Sequence, residues 1–111
     1  MSQKTLKLAL AQLNVTVGDI DGNTLRIIAA AKEANAQKAE LVLTPEMALT
    51  GYPPEDLILM ASFRDSCQRA LKVIAEETKT LGCGILLGTA WYEDARTSNA
   101  SVLIEKGEST L

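Results

Sequence analysis

The strongest constraint on how this chain can fold is an order of patterns: apolar run, helix-period segment, apolar run, helix-period segment, apolar run. Leu6, Leu8 and Leu10 alternate with smaller or polar residues and Gln12-Leu13 follows, which predicts a strand of about eight residues. Val17 to Gly22 reads as a turn, with Asp21 as helix N-cap. From Asn23 to about Lys38 the sequence is Ala-rich, with Leu25, Ile28 and Ala29 on one face of a helix. Lys38 falls in its last turn, where a cation suits the helix dipole. Leu41-Val42-Leu43 is a continuous apolar run, the pattern of a strand covered on both faces. Pro53 and Pro54 forbid helix through the next loop, and Glu55-Asp56-Leu57 opens a short helix after them. Phe63 to Leu81 is a second long helix, closed by Gly82. Ile85 to Trp91 and Ala100 to Ile104 are two further strands, with Asp94 to Asn99 as a polar turn that makes them antiparallel. This βαβαβ order argues a largely parallel sheet in an α/β fold.

The chain ends at Glu108-Ser109-Thr110-Leu111, directly after a strand, so a domain interrupted in its middle is expected, with a sheet edge left open. Of the 111 residues 47% are hydrophobic, enough for one core. The net charge is −3 and no basic block occurs, which argues against nucleic-acid binding. No apolar run approaches the roughly 20 residues of a membrane span. Met1 to Lys7 lacks the apolar stretch of a signal peptide, so a cytoplasmic location is expected.

The chain has no histidine. That removes Ser-His-Asp and Cys-His catalysis and zinc sites of the HExxH kind. Acid–base chemistry must then come from carboxylates, Lys, Tyr or Cys. Cys67 and Cys83 are too few and too far apart for a metal cluster or a disulfide framework, and no metal site is expected. Cys67 is in step with Phe63, Ala70, Leu71 and Ile74 and reads as a small core residue. Cys83 sits between Gly82 and Gly84 at the start of a strand.

Functional groups of α/β sheets gather beyond the carboxyl ends of the strands. Gln12 to Asn14 and Glu46 meet that condition. Glu46 is the stronger: Pro45 stiffens its backbone, and Leu43, Met47, Ala48 and Leu49 surround it in sequence with apolar side chains. A carboxylate partly removed from water is a better proton acceptor near neutral pH. The competing reading is a solvated loop glutamate. Gly82-Cys83-Gly84 with Gly88 is not a phosphate loop, because the spacing is wrong and a strand follows where a helix is needed. Asp19 and Asp21, and likewise Glu55 and Asp56, read as helix caps; Trp91 and Tyr92 read as core or edge packing.

Leu41 to Tyr52, with Glu46 at its centre, resembles the first catalytic motif of the nitrilase, or carbon–nitrogen hydrolase, superfamily. Leu8 to Asn14, Val17-Gly18-Asp19, Gly22-Asn23, Ile85 to Ala90 and Asn99-Ala100-Ser101 are similar to that family in order and spacing. Within it, Tyr52-Pro53-Pro54-Glu55-Asp56-Leu57 resembles the glutaminase domain of glutamine-dependent NAD synthetases. The resemblance implies a four-layer α-β-β-α sandwich, of which only the N-terminal part is present, and a Glu-Lys-Cys triad. In that triad the glutamate takes the thiol proton, the cysteine attacks the amide carbon and the lysine stabilises the oxyanion. It assigns the glutamate to Glu46 and places Tyr52 in the glutamine pocket. The family's lysine and cysteine have no counterpart here: Lys106 is followed by Gly107-Glu108-Ser109, and Cys67 and Cys83 lie upstream of the nucleophile's place. The resemblance further implies glutamine, ATP and nicotinic acid adenine dinucleotide as ligands of the whole protein. ATP and Mg belong there to a synthetase domain beyond this chain, which itself holds no cofactor. It also implies a homo-oligomer, no membrane, and no activity for these 111 residues alone. Two other readings stand beside it: a stand-alone amidase or carbamoylase acting on a small linear amide, and a non-catalytic interaction module.

Overall fold

The structure is a computed structural model that describes residues 7–16, 18–45, 47–51, 61–93 and 96–110. The helix-period segments become α1 (Ile20–Ala36) and α2 (Ala61–Thr78). The apolar runs become β1 (Leu8–Leu10), β2 (Leu41–Leu43) and β3 (Gly84–Glu93), followed by β4 (Arg96–Glu105) and β5 (Glu108–Thr110). They form one sheet in the order β1-β2-β3-β4-β5. β1, β2 and β3 are parallel, and β3-β4 and β4-β5 are antiparallel, as the sequence pattern implied for the first four.

Several boundaries differ from expectation for identifiable reasons. β1 is three residues long, not eight. Of the two aspartates read as caps, Asp19 and not Asp21 caps α1: its Oδ1 accepts from the Gly22 amide at 3.0 Å. Gly22 permits this close approach, since a Cβ there would sit 2.2 Å from Asp19 Oδ2. The helix therefore starts at Ile20 and rotates the buried stripe to Ile20, Asn23, Thr24, Ile27, Ile28, Ala31 and Ala34. Of the face expected inside, only Ile28 is buried; Leu25 is 69% exposed.

At its other end α1 stops before Lys38, which takes the left-handed conformation with φ 64°. The Lys38 amide donates to Asn35 O at 2.9 Å and the Ala39 amide to Ala34 O at 2.9 Å, the paired bonds of a Schellman ending. The Lys7 ammonium donates to the Gln37 carbonyl at 2.6 Å and supplies the favourable charge assigned to Lys38. α2 ends at Thr78, three residues before Leu81. β3 and β4 are ten residues each and pair from Ile85↔Ile104 to Glu93↔Arg96, so residues 96–99 of the expected six-residue turn belong to β4 and residues 94–95 lie outside the described residues. The polar tail forms the unexpected strand β5. Lys106 and Gly107 precede it with φ 52° and 84°, a two-residue hairpin turn that needs positive φ at both positions. The short helix expected at Glu55-Asp56-Leu57 lies outside the described residues.

Both helices pack on one face of the sheet. Ile27, Ile28 and Ala31 of α1 and Phe63, Cys67, Ala70 and Ile74 of α2 share a core with Ile85 and Leu87 of β3 and Val102 and Ile104 of β4. Trp91 packs against this core, as its place on the strand suggested. A smaller cluster joins Ala34 and Ala39 to Val42 and Cys83. Alternation sends Leu10, Leu43, Leu86 and Leu103 to the opposite face, where register aligns them in one row across four strands. Leu10 of β1 is 77% exposed; in β2, expected to be covered on both faces, Val42 on the helix side is buried while Leu41 and Leu43 are half-buried.

Candidate functional site

The carboxyl ends of β1, β2 and β3 point to one end of the sheet, where residues 44–51 lead away from β2. Glu46 and Tyr52, the two residues singled out in the sequence, lie outside the described residues. The backbone flanking position 46 is described on both sides, and it is held at every step.

Thr44 continues the ladder beyond β2. Its amide donates to Leu86 O at 3.1 Å, and its hydroxyl accepts from the Gly88 amide at 3.0 Å. On the far side, the Leu49 amide returns to Gly88 O at 3.3 Å. Two turns tighten the segment between these anchors: the Ala48 amide donates to Pro45 O at 3.2 Å, and the Gly51 amide to Met47 O at 2.8 Å. Met47 has φ 54°, which a non-glycine residue adopts only where surrounding structure imposes it. The segment around it is enclosed: Met47 is 6% exposed, and Ala48, Leu49 and Thr50 are fully buried. Met47, Ala48 and Leu49 are therefore core residues, and the expected apolar surroundings of Glu46 itself lie outside the described residues.

A third anchor comes from the β1–α1 connection. The Gly18 amide donates to Thr50 O at 2.9 Å. Asn23, fully buried on the inner stripe of α1, donates from Nδ2 to Thr16 O at 2.8 Å and to Leu49 O at 3.0 Å. Its Oδ1 accepts from the Thr16 amide at 2.9 Å. Asn23, Thr44 and Thr50 were not singled out as site residues from sequence. The available signal was a polar residue in step with Ile20 and Ile27, on a stripe where an unpartnered amide would cost about 1–3 kcal/mol. Gln12 and Asn14, the other candidates, are exposed at the end of β1.

The topology separates the remaining nucleophile and cation candidates from this end. Cys83 immediately precedes β3 and so sits at the amino end of the parallel strands. It is 2% exposed, and burial pushes its thiol pKa up, against nucleophilic use. Lys106 follows β4, whose end pairs with the start of β3, so it too lies at the amino end. Cys67 faces the core from α2. A cavity of about 500 Å³ between α2 and β3, bordered by Cys67, Lys72 and Trp91, includes no residue of 44–51. Asp19 serves as a cap, and Asp21 lies in the first turn of α1.

Residues 44, 45 and 47–51 thus form a hydrogen-bonded strand-to-loop corner beyond the carboxyl end of β2, where functional groups of α/β sheets gather. Residues 7–111 match the carbon–nitrogen hydrolase family. The chain belongs to the carbon–nitrogen hydrolase family. Among relatives of this hydrolase segment, the glutamine-dependent NAD(+) synthetase of Thermotoga maritima is 39% identical over 95% of the chain. That of Synechocystis sp. is 43% identical over 91% of it. The segment spans only 18% and 19% of the length of those two proteins. The glutamine-dependent NAD(+) synthetase of Cytophaga hutchinsonii superimposes with a TM-score of 0.86 at 27% identity, covering 96% of this chain and 18% of that one. That of Acinetobacter baumannii, solved with ADP, gives 0.84 at 31% identity over 95% of this chain and 20% of that one. An amidase from Nesterenkonia sp. gives 0.76 at 25% identity over 96% of this chain and 41% of that one. The mixed sheet and its two helices thus match the nitrilase-type fold expected from the sequence, as one part of it.

Proposed function

We propose that this segment supplies the general base of the glutaminase site in a glutamine-dependent NAD synthetase, with Glu46 as that base and Tyr52 lining the glutamine pocket. The observation that carries this reading is identity of 39–43% to such synthetases over 91–95% of the chain. The pinned backbone on either side of position 46 supports the role of Glu46. A base held by a rigid corner needs no reorganisation when the substrate arrives.

In this reading the Glu46 carboxylate takes the proton of a cysteine thiol contributed by chain beyond Leu111. The thiolate attacks the glutamine amide carbon, and a lysine, also beyond Leu111, stabilises the oxyanion. Glu46 returns the proton to the departing nitrogen, which leaves as ammonia and a thioester remains. Water then attacks the thioester, Glu46 taking its proton; the C–S bond breaks, Glu46 returns that proton to the leaving sulfur, and glutamate is released with the thiol restored. The ammonia would serve amidation of nicotinic acid adenine dinucleotide at a second site, where ATP and Mg would supply activation of the acceptor carboxylate; no residue of this segment is assigned to hold them. Cytoplasmic location and homo-oligomerisation belong to the same proposal, as does inactivity of residues 1–111 alone.

The test is Glu46→Gln in the full-length protein carrying this segment. The substitution keeps size and removes the base, so glutamine-dependent NAD formation should fall roughly 10²–10⁴-fold. Formation from added ammonium should persist. A parallel fall of both rates would make Glu46 structural. Failure of the unsubstituted protein to make NAD from ammonium would leave a simple amidase.

A further inference from the structure

We infer that Asn23 is a positioning residue for Glu46, acting as a clamp between the β1–α1 connection and the corner that carries the glutamate. The inference rests on the assignment of Glu46 as base. Asn23 sits in the first turns of α1 with no exposed surface. Its single amide group spans two segments far apart in sequence: Nδ2 donates to Thr16 O at 2.8 Å and Leu49 O at 3.0 Å, while Oδ1 accepts from Thr16 N at 2.9 Å. The Arg26 guanidinium also donates to Oδ1, at 3.3 Å, and lies 3.9 Å from the Asp19 carboxylate that caps the helix. One side chain therefore ties the helix start, Thr16 and the residue three places after Glu46 together.

Two features argue for a role beyond stability. The carbonyl it holds belongs to Leu49, whose amide is bonded to Gly88 O, so both polar atoms of that peptide position are committed. Between that point and Thr44 the chain passes through Met47 in a left-handed conformation. A strained segment keeps its geometry only while its ends are fixed. Without the Asn23 bond the Leu49 carbonyl loses its partner, and the downstream end of that segment is left to the Leu49 amide on Gly88 O and the Gly18 amide on Thr50 O, which loosens it. Misplacement of about 1 Å by a change away from the chemistry can cost roughly 10²-fold in rate.

Asn23→Asp keeps the shape but turns the donating amide into an acceptor that faces two carbonyl oxygens. In the full-length protein, the glutamine-dependent kcat should fall by roughly 10²-fold while ammonium-dependent synthesis is retained. The KM for glutamine should stay within about threefold, the signature of a lost transition-state arrangement and not of lost binding. The acidic limb of the glutamine-dependent pH profile should move, because the environment of the base has changed. Asn23→Ser, which retains one donor, should fall between; should Asn23→Asp fail to fold, Asn23→Ser carries the same test. A kcat and pH profile like those of the unsubstituted protein, or a proportional loss of both activities, would overturn the inference. Glu46→Gln run alongside separates the two ideas. If it abolishes glutamine use while Asn23→Asp does not, only the clamp is wrong; if it leaves glutamine use intact, the base assignment is wrong and the clamp falls with it.

Discussion

Cys83 has the chemistry of a nucleophile and the surroundings of a core residue. It is packed with Ala34, Ala39 and Val42, and its thiol faces the Gly84 carbonyl at 3.4 Å. Burial disfavours the thiolate and raises the pKa above its ordinary value of 9.0. The folded state then holds the proton more tightly than the unfolded state. Its contribution to stability is complete below the ordinary thiol value and is lost as pH climbs from there through the folded value. Under native conditions at pH 7, iodoacetamide should leave Cys83 unmodified in the full-length protein and label it after unfolding, as peptide mass analysis would show. Rapid native labelling would contradict the burial. At this scale sequence patterns were informative for Cys67 and for the apolar residues after Glu46. They were silent on Asn23 and Thr44, whose roles depend on hydrogen bonds to residues 26 and 44 positions away along the chain.

At the scale of elements, the order of strands and helices was legible because each has a strong apolar period. The ends were less so. The α1 start is ambiguous in sequence because Asp19, Asp21 and Asn23 are all good caps; Gly22, which has no Cβ, lets the Asp19 carboxylate approach its amide. β5 was invisible because Glu108, Ser109 and Thr110 are all exposed and carry no apolar signal. The end of α1 offers a direct test. Lys38 occupies the position in a Schellman ending that glycine fills without strain, and a left-handed L-residue costs on the order of 1 kcal/mol there. Lys38→Gly should therefore stabilise the fold by up to about 1 kcal/mol, read as a higher denaturation midpoint at unchanged m. Ile74→Ala in α2 removes a fully buried side chain from between the helices and the sheet, and should cost about 2–5 kcal/mol. If Lys38→Gly destabilised the protein, the left-handed geometry assigned to that ending would be wrong.

For the molecule as a whole, the two faces of the sheet set the balance. The helix face is sealed: Ile85, Leu87, Val102 and Ile104 have no exposed surface. The other face presents the row Leu10-Leu43-Leu86-Leu103, with Leu8 48% exposed beside it. Leu43, Leu86 and Leu103 are half-buried, while Leu8 and Leu10 are exposed and each forgo up to roughly 1.5–3 kcal/mol relative to burial, a sizeable share of the roughly 5–15 kcal/mol by which ordinary domains are stable. A contiguous apolar row on a sheet face also invites contact between copies. A polypeptide of residues 1–111 alone should accordingly self-associate, with a sedimentation coefficient that rises with concentration and a broad thermal transition. Leu10→Lys places a charge at the most exposed point of the row and should shift the isolated polypeptide towards monomer. In the full-length protein the same change distinguishes two cases: a lower denaturation midpoint means that further chain covers the row, and an unchanged midpoint means that it stays open. A concentration-independent monomer with a sharp, cooperative transition for residues 1–111 would show that the helix face alone holds the fold together.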